Sequence, residues 1–382
     1  MNFSLPGFHV QVFKEVSQAG NDWDQFLSGA PQLNSRHLAA LESAQPSDME
    51  FRYVMLRKGD QVVACAYLQL VTFTGSNFSD QGSSLLTALL KFFFWVKTVR
   101  LLFCGNLFSV DFPCLYFSED QISFGEVLRV IKDISNSERC QLMMMKEMNV
   151  SSEKLELLKQ QGFRKYGEDL TMALEMNPAW QSFDDYFDTL TKKYRKRLKV
   201  IRSAKEKITV RNLSSDEIQL YLSEIGELFR ATAAKQFLKM GIVDERYFTA
   251  MRNAYGEKFF INGYFLQEKL IAFASHISHA EILEVHYIGI NYSFNTDYAL
   301  YFNILYDGVE QAMAMKKKIL ELGRTAREAK ASVGCTPVPS HDYLFVRNRF
   351  INFLITVFEK LFLKDIGDEW RNRHPFKTVV SK

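Results

Sequence analysis

The stretch Phe260-Ile-Asn-Gly-Tyr-Phe-Leu-Gln-Glu-Lys-Leu-Ile-Ala-Phe-Ala-Ser-His-Ile277 decides how this chain is read. It is an apolar run, a polar turn at Gln267-Glu268-Lys269, and a second apolar run built on Leu-Ile-Ala-x-Ala. Turn residues between two apolar runs of this length signal a β-hairpin. The same unit occurs about 209 residues earlier, in Phe51-Arg-Tyr-Val-Met-Leu-Arg-Lys-Gly-Asp-Gln-Val-Val-Ala-Cys-Ala-Tyr-Leu68, with its turn at Lys58-Gly59-Asp60. Recurrence of one unit, in similar surroundings, points to two copies of one domain.

Working outward, the elements around each hairpin fall in a similar order. The first half predicts a strand over 8–16, short helices over 22–27 and 35–45 with Ser35 as N-cap, and the hairpin over 51–73. A polar loop over 74–84 and an apolar helix over 84–97 follow. Then come strands over 99–104 and 114–118 about a Gly105-Asn106 turn, a helix over 121–136, a strand over 139–145, a helix over 151–161 and a strand over 166–175. Asn177-Pro178 breaks the pattern. The second half predicts helices over 182–189 and 191–206, a strand over 208–212, helices over 214–233 and 244–255, and the second hairpin. A strand over 281–290, a helix over 298–316, a strand over 318–323 and a helical tail over 341–366 complete it. The expected organisation is therefore two mixed α/β (α+β) units, 1–176 and 177–340, each a mostly antiparallel sheet flanked by helices, and a tail, 341–382.

Composition places the chain among globular proteins of two ordinary domains: 382 residues, 47% hydrophobic, 24% charged. A net charge of +3 gives no global field for nucleic acid, and no DNA partner is expected. A thick core accounts for much of the 33 Phe and 16 Tyr, and a surface that touches acyl chains or lipid would account for the rest. The five cysteines, Cys65, Cys104, Cys114, Cys140 and Cys335, show no metal or redox spacing and read as buried reduced thiols of a cytoplasmic protein. The first 20 residues carry no signal-peptide pattern. The most apolar stretch, 85–110, is interrupted by Lys91, Lys97 and Arg100, so no membrane span is expected. No metal site is expected.

The order of elements and several strings resemble the FemAB-like branch of the GNAT acyltransferase superfamily, in its BioF2-like variant. In the second half these are Tyr194-Arg195-Lys196-Arg197 on a basic helix, the Leu-Ile-Ala hairpin, a strand ending in Tyr287, Tyr298 opening the next helix, and Leu322-Gly323-Arg324 followed by Lys330 and Gly334. The first half, including Leu102-Phe103-Cys104-Gly105-Asn106-Leu107-Phe108, resembles the degenerate first copy of tandem GNAT proteins. The resemblance covers about residues 8–340 and implies two GNAT-like domains. It departs from single-domain GNAT enzymes at one place. Those follow their central strand with a Gly-rich loop that offers backbone N–H groups to the coenzyme A pyrophosphate. Here 290–298 reads Ile-Asn-Tyr-Ser-Phe-Asn-Thr-Asp-Tyr, with no glycine after Gly289. The donor is then an acyl carrier protein, an aminoacyl-tRNA or a differently held acyl-CoA, acting as co-substrate with no permanently bound cofactor.

Acyl transfer to an amine needs a base for the ammonium, a donor for the developing oxyanion, and a hold on the acceptor. His286 is the candidate base and Glu284, two residues away on the same strand face, its orienting group. Tyr287 or Tyr292 would serve the oxyanion or leaving group; strand alternation leaves only one of His286 and Tyr287 facing the substrate. Arg324, Arg327 and Lys330 recur at three-residue spacing and form one cationic stripe if the segment is helical. The resemblance implies that Arg324 and Lys330 face the substrate, where they would clamp a carboxylate, sulfonate or phosphate. Tyr298, Tyr194, Arg195 and Arg197 complete the binding residues it implies.

Two surfaces stand out. Residues 192–205 carry eight Lys or Arg and no acid, with a narrow stripe at Leu198, Ile201 and Lys205. This helix is either a solvated face or a surface for an acidic carrier protein, a tRNA or an anionic membrane. The apolar segments 85–97 and 343–364, flanked by Arg347, Arg349, Lys360 and Lys364, pack across a seam or touch the inner face of the membrane. Three functions are consistent with these residues: an N-acyltransferase moving an acyl group from a thioester to a primary amine of an anionic, lipid-like acceptor; a Fem-type transferase using aminoacyl-tRNA on a peptidoglycan precursor; and a non-catalytic GNAT-fold binding module.

Overall fold

A computed structural model describes residues 3–377 other than 45, 47, 79–84, 110–114, 149, 237–238 and 360–367. Cys114, the end of the 74–84 loop and the far end of the expected tail, with Lys360 and Lys364, lie outside the described residues. The first half runs β1 (Ser4–Leu5), β2 (Phe8–Phe13), α1 (Asn21–Phe26), α2 (Ser35–Ser43), β3 (Met49–Lys58), β4 (Gln61–Phe73), α3 (Leu85–Val96), β5 (Val99–Cys104) and β6 (Leu115–Phe117). It continues through α4 (Phe124–Ser137), β7 (Leu142–Met145), α5 (Ser152–Gln160) and β8 (Arg164–Glu175). Then follow α6 (Phe183–Thr189), α7 (Lys192–Ala204), β9 (Ile208–Asn212), α8 (Ser215–Leu220), α9 (Leu222–Ala233), α10 (Arg246–Tyr255), β10 (Phe259–Leu266), β11 (Lys269–Ser278) and β12 (Ile282–Ile290). The last elements are α11 (Tyr292–Tyr298), α12 (Leu300–Ala314), β13 (Ile319–Glu321), α13 (Arg327–Val333), β14 (Thr336–Val346) and α14 (Arg349–Phe358).

The chain forms two compact units that are not consecutive in sequence. One comprises Met1–Asp169, Lys235–Ala250 and Ser340–Lys364; the other comprises Leu170–Ala234, Met251–Pro339 and Asp365–Lys382. The expected tail is thus divided between them. In the first unit β2, β3, β4 and β5 pair antiparallel in that order, β5 pairs parallel with β7, and β7 pairs antiparallel with β14. In the second, β9, β10, β11 and β12 pair antiparallel, β12 pairs parallel with β13, and β13 pairs antiparallel with the end of β8. The two hairpins, β3–β4 and β10–β11, therefore hold the same place in the same strand order. Even their irregularity repeats: each has a register shift just before the turn, at Leu56/Arg57 and at Tyr264/Phe265. The turns differ. Gly59 takes the left-handed conformation in one (φ 59°), Gln267 in the other (φ 55°), and only glycine does so without a Cβ penalty.

The strands are apolar for the reason that central strands are: both faces are covered. In the first unit α4 and α5 cover one face, packing Val127, Ile131 and Leu158 against Val54, Leu68, Met143 and Met145. The other face packs Phe103, Leu142, Met144 and Leu344 with Phe94 of α3 and Ile355 of α14. In the second unit α6, α7 and α12 cover one face, with Tyr186, Leu198, Ile304 and Leu305 against Ala272, Ala274, Leu283 and Val285. Helix α9 packs on β11 and β12 from the opposite side, where Leu228 meets Gly289.

Four local expectations are corrected. Asn34, not Ser35, caps α2, its side chain accepting from Arg36 N, while Ser35 bonds Asp24. The helix expected over 214–233 is broken at Tyr221 into α8 and α9. That over 298–316 is broken at Ala299, left-handed at φ 47°, so Tyr298 closes α11 and does not open α12. The tail begins as strand β14. Tyr343 and Leu344 are buried in sheet pairing with Met145 and Met144, which selects the extended state.

Candidate active site

The parallel pair β12–β13 is short. Ile282, Leu283 and Glu284 pair with Ile319, Leu320 and Glu321, and there the pairing ends, although β12 continues to Ile290. Beyond Glu321 the other strand stays with β8, through Leu322 N to Met172 O and Met172 N to Gly323 O. The two strands thus part after the Glu284–Glu321 rung and form a fork. Gly323, left-handed at φ 74°, turns the chain away at the strand end.

On the β12 arm, Glu284, His286 and Tyr287 are gathered. His286 Nδ1 lies 2.6 Å from Glu284 Oε1, and His279 Nε2 lies 3.3 Å from Glu284 Oε2. The His286 side chain is 1% exposed. Burial opposes the Glu284 charge, but the neighbouring His286 and the bonds from both histidines outweigh it, so the carboxyl sits well below the usual carboxylate range. A carboxylate on Nδ1 holds the proton there and leaves Nε2 as the basic nitrogen.

Tyr287 does not point away from His286, as strict alternation requires. The register with β11 shifts between Ala274 and His276, so His286 and Tyr287 together oppose the single residue Ser275. Ser275 Oγ accepts from Tyr287 N at 3.0 Å and donates to Tyr287 O at 3.2 Å, which fixes the bulge. A bulge of this kind puts two successive side chains on one side. The two rings lie 4.2 Å apart, and Tyr287 packs on Phe229 of α9 at 4.9 Å. The expectation that only one of the pair faces the site is corrected accordingly. Burial first, and then Glu284, push the Tyr287 phenol up, so it stays protonated and can donate. Tyr255 of α10 is raised by the same two causes.

On the β13 arm stand Glu321, Arg324 and Lys330. The expected three-residue stripe is broken, because α13 begins only at Arg327 after Ala326, which is left-handed at φ 50°. Arg324 precedes the helix in a bend, and its carbonyl accepts from Arg327 Nε at 3.3 Å. Lys330 is not a solvated member of a stripe: it is 3% exposed. A Cβ on Gly323 would lie 3.9 Å from Lys330 Nζ, which places the ammonium beside the strand end. Burial lowers the Lys330 pKa to about 8 against the pull of Cys335 and Glu321, with the Arg327 charge adding to the fall.

The remaining expected residues lie elsewhere. Tyr292 and Tyr298, on α11, are half-buried against the core formed with α12. Tyr194 is buried in that core, Arg195 is 3.8 Å from Asp188, and Arg197 lies over the Phe302 ring at 4.4 Å. All three belong to α7, on the sheet face opposite His286. Sequence reasoning missed His279, Ser275, Tyr255 and Glu321. Only Glu321 carried a signal, since it follows from the parallel register once β12 and β13 are paired. The segment after β12 has no open loop for a pyrophosphate: Asn291 Oδ1 accepts from Ser293 N and Asn295 Oδ1 from Tyr301 N, so side chains of the chain itself take these amides. Among the described residues no group of three His, Cys, Asp or Glu side chains is placed to hold a metal ion.

Strand order and fork are those of a GNAT-like fold. The structure is similar to that of FemX, with a TM-score of 0.53 at 13% identity, covering 90% of this chain and 99% of that one. It is also similar to a tandem GNAT protein from the clavulanic acid biosynthesis pathway, with a TM-score of 0.50 at 8% identity, covering 89% and 99%. The chain belongs to the FemAB-like family, described as peptidoglycan biosynthesis/recognition, whose model matches residues 118–378. No curated protein matches the sequence.

Proposed function

We propose that the chain is an N-acyltransferase that moves an acyl group from a thioester donor, acyl-CoA or acyl carrier protein, to a primary amine of an anionic acceptor of the cell envelope. The observation that carries this is the fork: a His–Glu pair with a protonated tyrosine beside it on one arm, a buried lysine with Arg324 on the other. The acceptor ammonium gives a proton to His286 Nε2, and the freed amine attacks the acyl carbonyl. Tyr287 O–H donates to the carbonyl oxygen as it becomes negative. Collapse expels the thiolate, which takes the second amine proton and leaves as a thiol, and an amide remains. Lys330 and Arg324 hold the acceptor's anionic group.

The amides of Ser293 and Tyr301, taken by Asn291 Oδ1 and Asn295 Oδ1, favour a second donor, an aminoacyl ester of tRNA, with the same amine chemistry. The exposed cations of α7, Lys192, Lys193, Lys196, Arg197 and Lys199, suit its phosphates. Purified protein offered acyl-CoA, acyl carrier protein and aminoacyl-tRNA, each with amino-lipids and wall precursors, separates the two by mass spectrometry of the products. Lipid and wall-peptide profiles of a deletion strain give the same answer in the cell. No product in any combination and unchanged profiles would leave the fold as a binding module without chemistry.

A further inference from the structure

Two helices of the first unit show aromatic faces that no described residue of that unit covers. On α3, Phe92, Trp95 and Val96 are 63%, 75% and 66% exposed, at the i, i+3, i+4 spacing of one helix face. On α14, Phe350 and Phe353 are 56% and 62% exposed, and half-buried Leu354 and Val357 extend their stripe. The helices meet: the rings of Phe93 and Phe350 lie 6.1 Å apart, and Phe92 stacks near Trp95 at 6.5 Å. The opposite sides of both are already satisfied, Phe94 against Phe73 and Phe78, Ile355 in the same core cluster. The outward aromatics are therefore surplus to folding.

The charges within and before the two helices are basic, and the acid that ends α14, Glu359, is paired with Arg164. Lys91 lines a depression of about 330 Å³ with Phe92 and Trp95, Lys97 follows α3, and Arg347 precedes α14. No acid occurs in residues 85–100 or 347–358. Docking of a second copy through this face would set these cations against themselves. An anionic surface with an apolar interior suits both features, and Trp and Phe beside Lys and Arg are the side chains that settle at such a boundary. No described helix is long and apolar enough to cross a membrane.

We infer that α3 and α14 together dock the protein on the surface of an anionic lipid bilayer, with Phe92, Trp95, Phe350 and Phe353 inserted and Lys91, Lys97 and Arg347 at the headgroups. This stands apart from the reading of the fork. Flotation of the full chain with vesicles of phosphatidylcholine, with and without phosphatidylglycerol, tests it. Binding is expected to the anionic vesicles and to weaken with salt. Trp95→Ser with Phe353→Ser should lower the partition coefficient about tenfold or more. Lys91→Gln with Lys97→Gln should remove the preference for phosphatidylglycerol. Melting curves confirm that the variants fold, since the exchanged side chains face outward. Absence of wild-type binding, equal binding of the aromatic double variant, or a dimer in sedimentation that the same variant dissolves would overturn the proposal.

Discussion

The β5–β7 pair of the first unit and the β12–β13 pair of the second are the same step in the same strand order, and they end differently. In the first, pairing runs from Leu101–Leu142 through Cys104–Met145 and is prolonged by Lys146 N to Cys104 O, so the strands stay closed to the end of β5. Their rungs are Leu, Met, Phe and Cys, packed from both faces. In the second, three rungs suffice, the last is Glu284–Glu321, and a bulge then turns His286 and Tyr287 to one side. Closure with apolar rungs makes a core; parting after a charged rung makes a place for chemistry. The lesson is that two units can share one strand order and differ at a single strand pair.

The largest expected effect breaks this comparison at its centre. His286→Gln should lower kcat by about 10²–10⁴ if the imidazole is the base, while Met144→Leu in the closed pair should leave kcat unchanged and cost less than about 1.5 kcal/mol in melting. Steady-state kinetics with the substrates found above decide it, and an unaltered kcat for His286→Gln would return the histidine to a structural role.

Next, the β13 arm. Lys330→Met and Arg324→Ala should each raise KM for the anionic acceptor about ten- to a hundredfold, with a smaller change in kcat. Because the Lys330 ammonium is lost as pH rises past about 8, the wild-type KM should climb there. Lys330→Arg should abolish that rise. Stability moves the other way. The folded pKa lies below the ordinary 10.5, so burying the ammonium costs stability fully below about pH 8 and progressively less up to 10.5. Lys330→Met should therefore raise the melting temperature at pH 7 and not at pH 10.5, which reads the burial of the ammonium directly, while the KM profile reads its role.

Glu284→Gln sharpens the contrast through stability. The depressed carboxyl contributes stability that is present above its ordinary value of 4.5 and is lost as pH falls from there. The variant should be less stable by ~2 kcal/mol at neutral pH, with the gap closing in acid; parallel acid melts of the two proteins would show it, and a constant gap would refute it. The smallest effect compares the hairpin turns. Gln267→Gly should stabilise by ~0.5–1 kcal/mol by relieving a left-handed non-glycine residue, and Gly59→Gln should cost a similar amount. Chemical denaturation is sufficient to read both.

The repeat was legible because hairpins are local: two apolar runs and a turn state their own pairing, and both stand where the periodicity placed them. Glu284 and His286 were legible for the same reason, as i and i+2 on a strand. The bulge was not, because it depends on Ser275 in another strand, and no local pattern records which residue is skipped. The burial of Lys330 was hidden likewise, since three-residue spacing says nothing of a helix that starts only at Arg327. The tail misled because Tyr343-Leu-Phe-Val346 is apolar enough for either state, and only the partner strand Leu142–Met145 selects the extended one.

That last pairing has a consequence for how the chain is made. The sheet of the first unit is finished by β14, which the ribosome delivers after the whole of the second hairpin. At about 5–20 residues per second, the gap between Met145 and Tyr343 lasts roughly 10–40 s. Throughout it, Leu142-Met-Met-Met145 offers an apolar edge with no neighbour on that side, the kind of edge that recruits other chains. The nascent chain thus carries this open edge until its final stretch emerges. A shortened product ending before Ser340 keeps that exposed edge permanently, so the two units cannot be obtained by cutting the polypeptide in the middle.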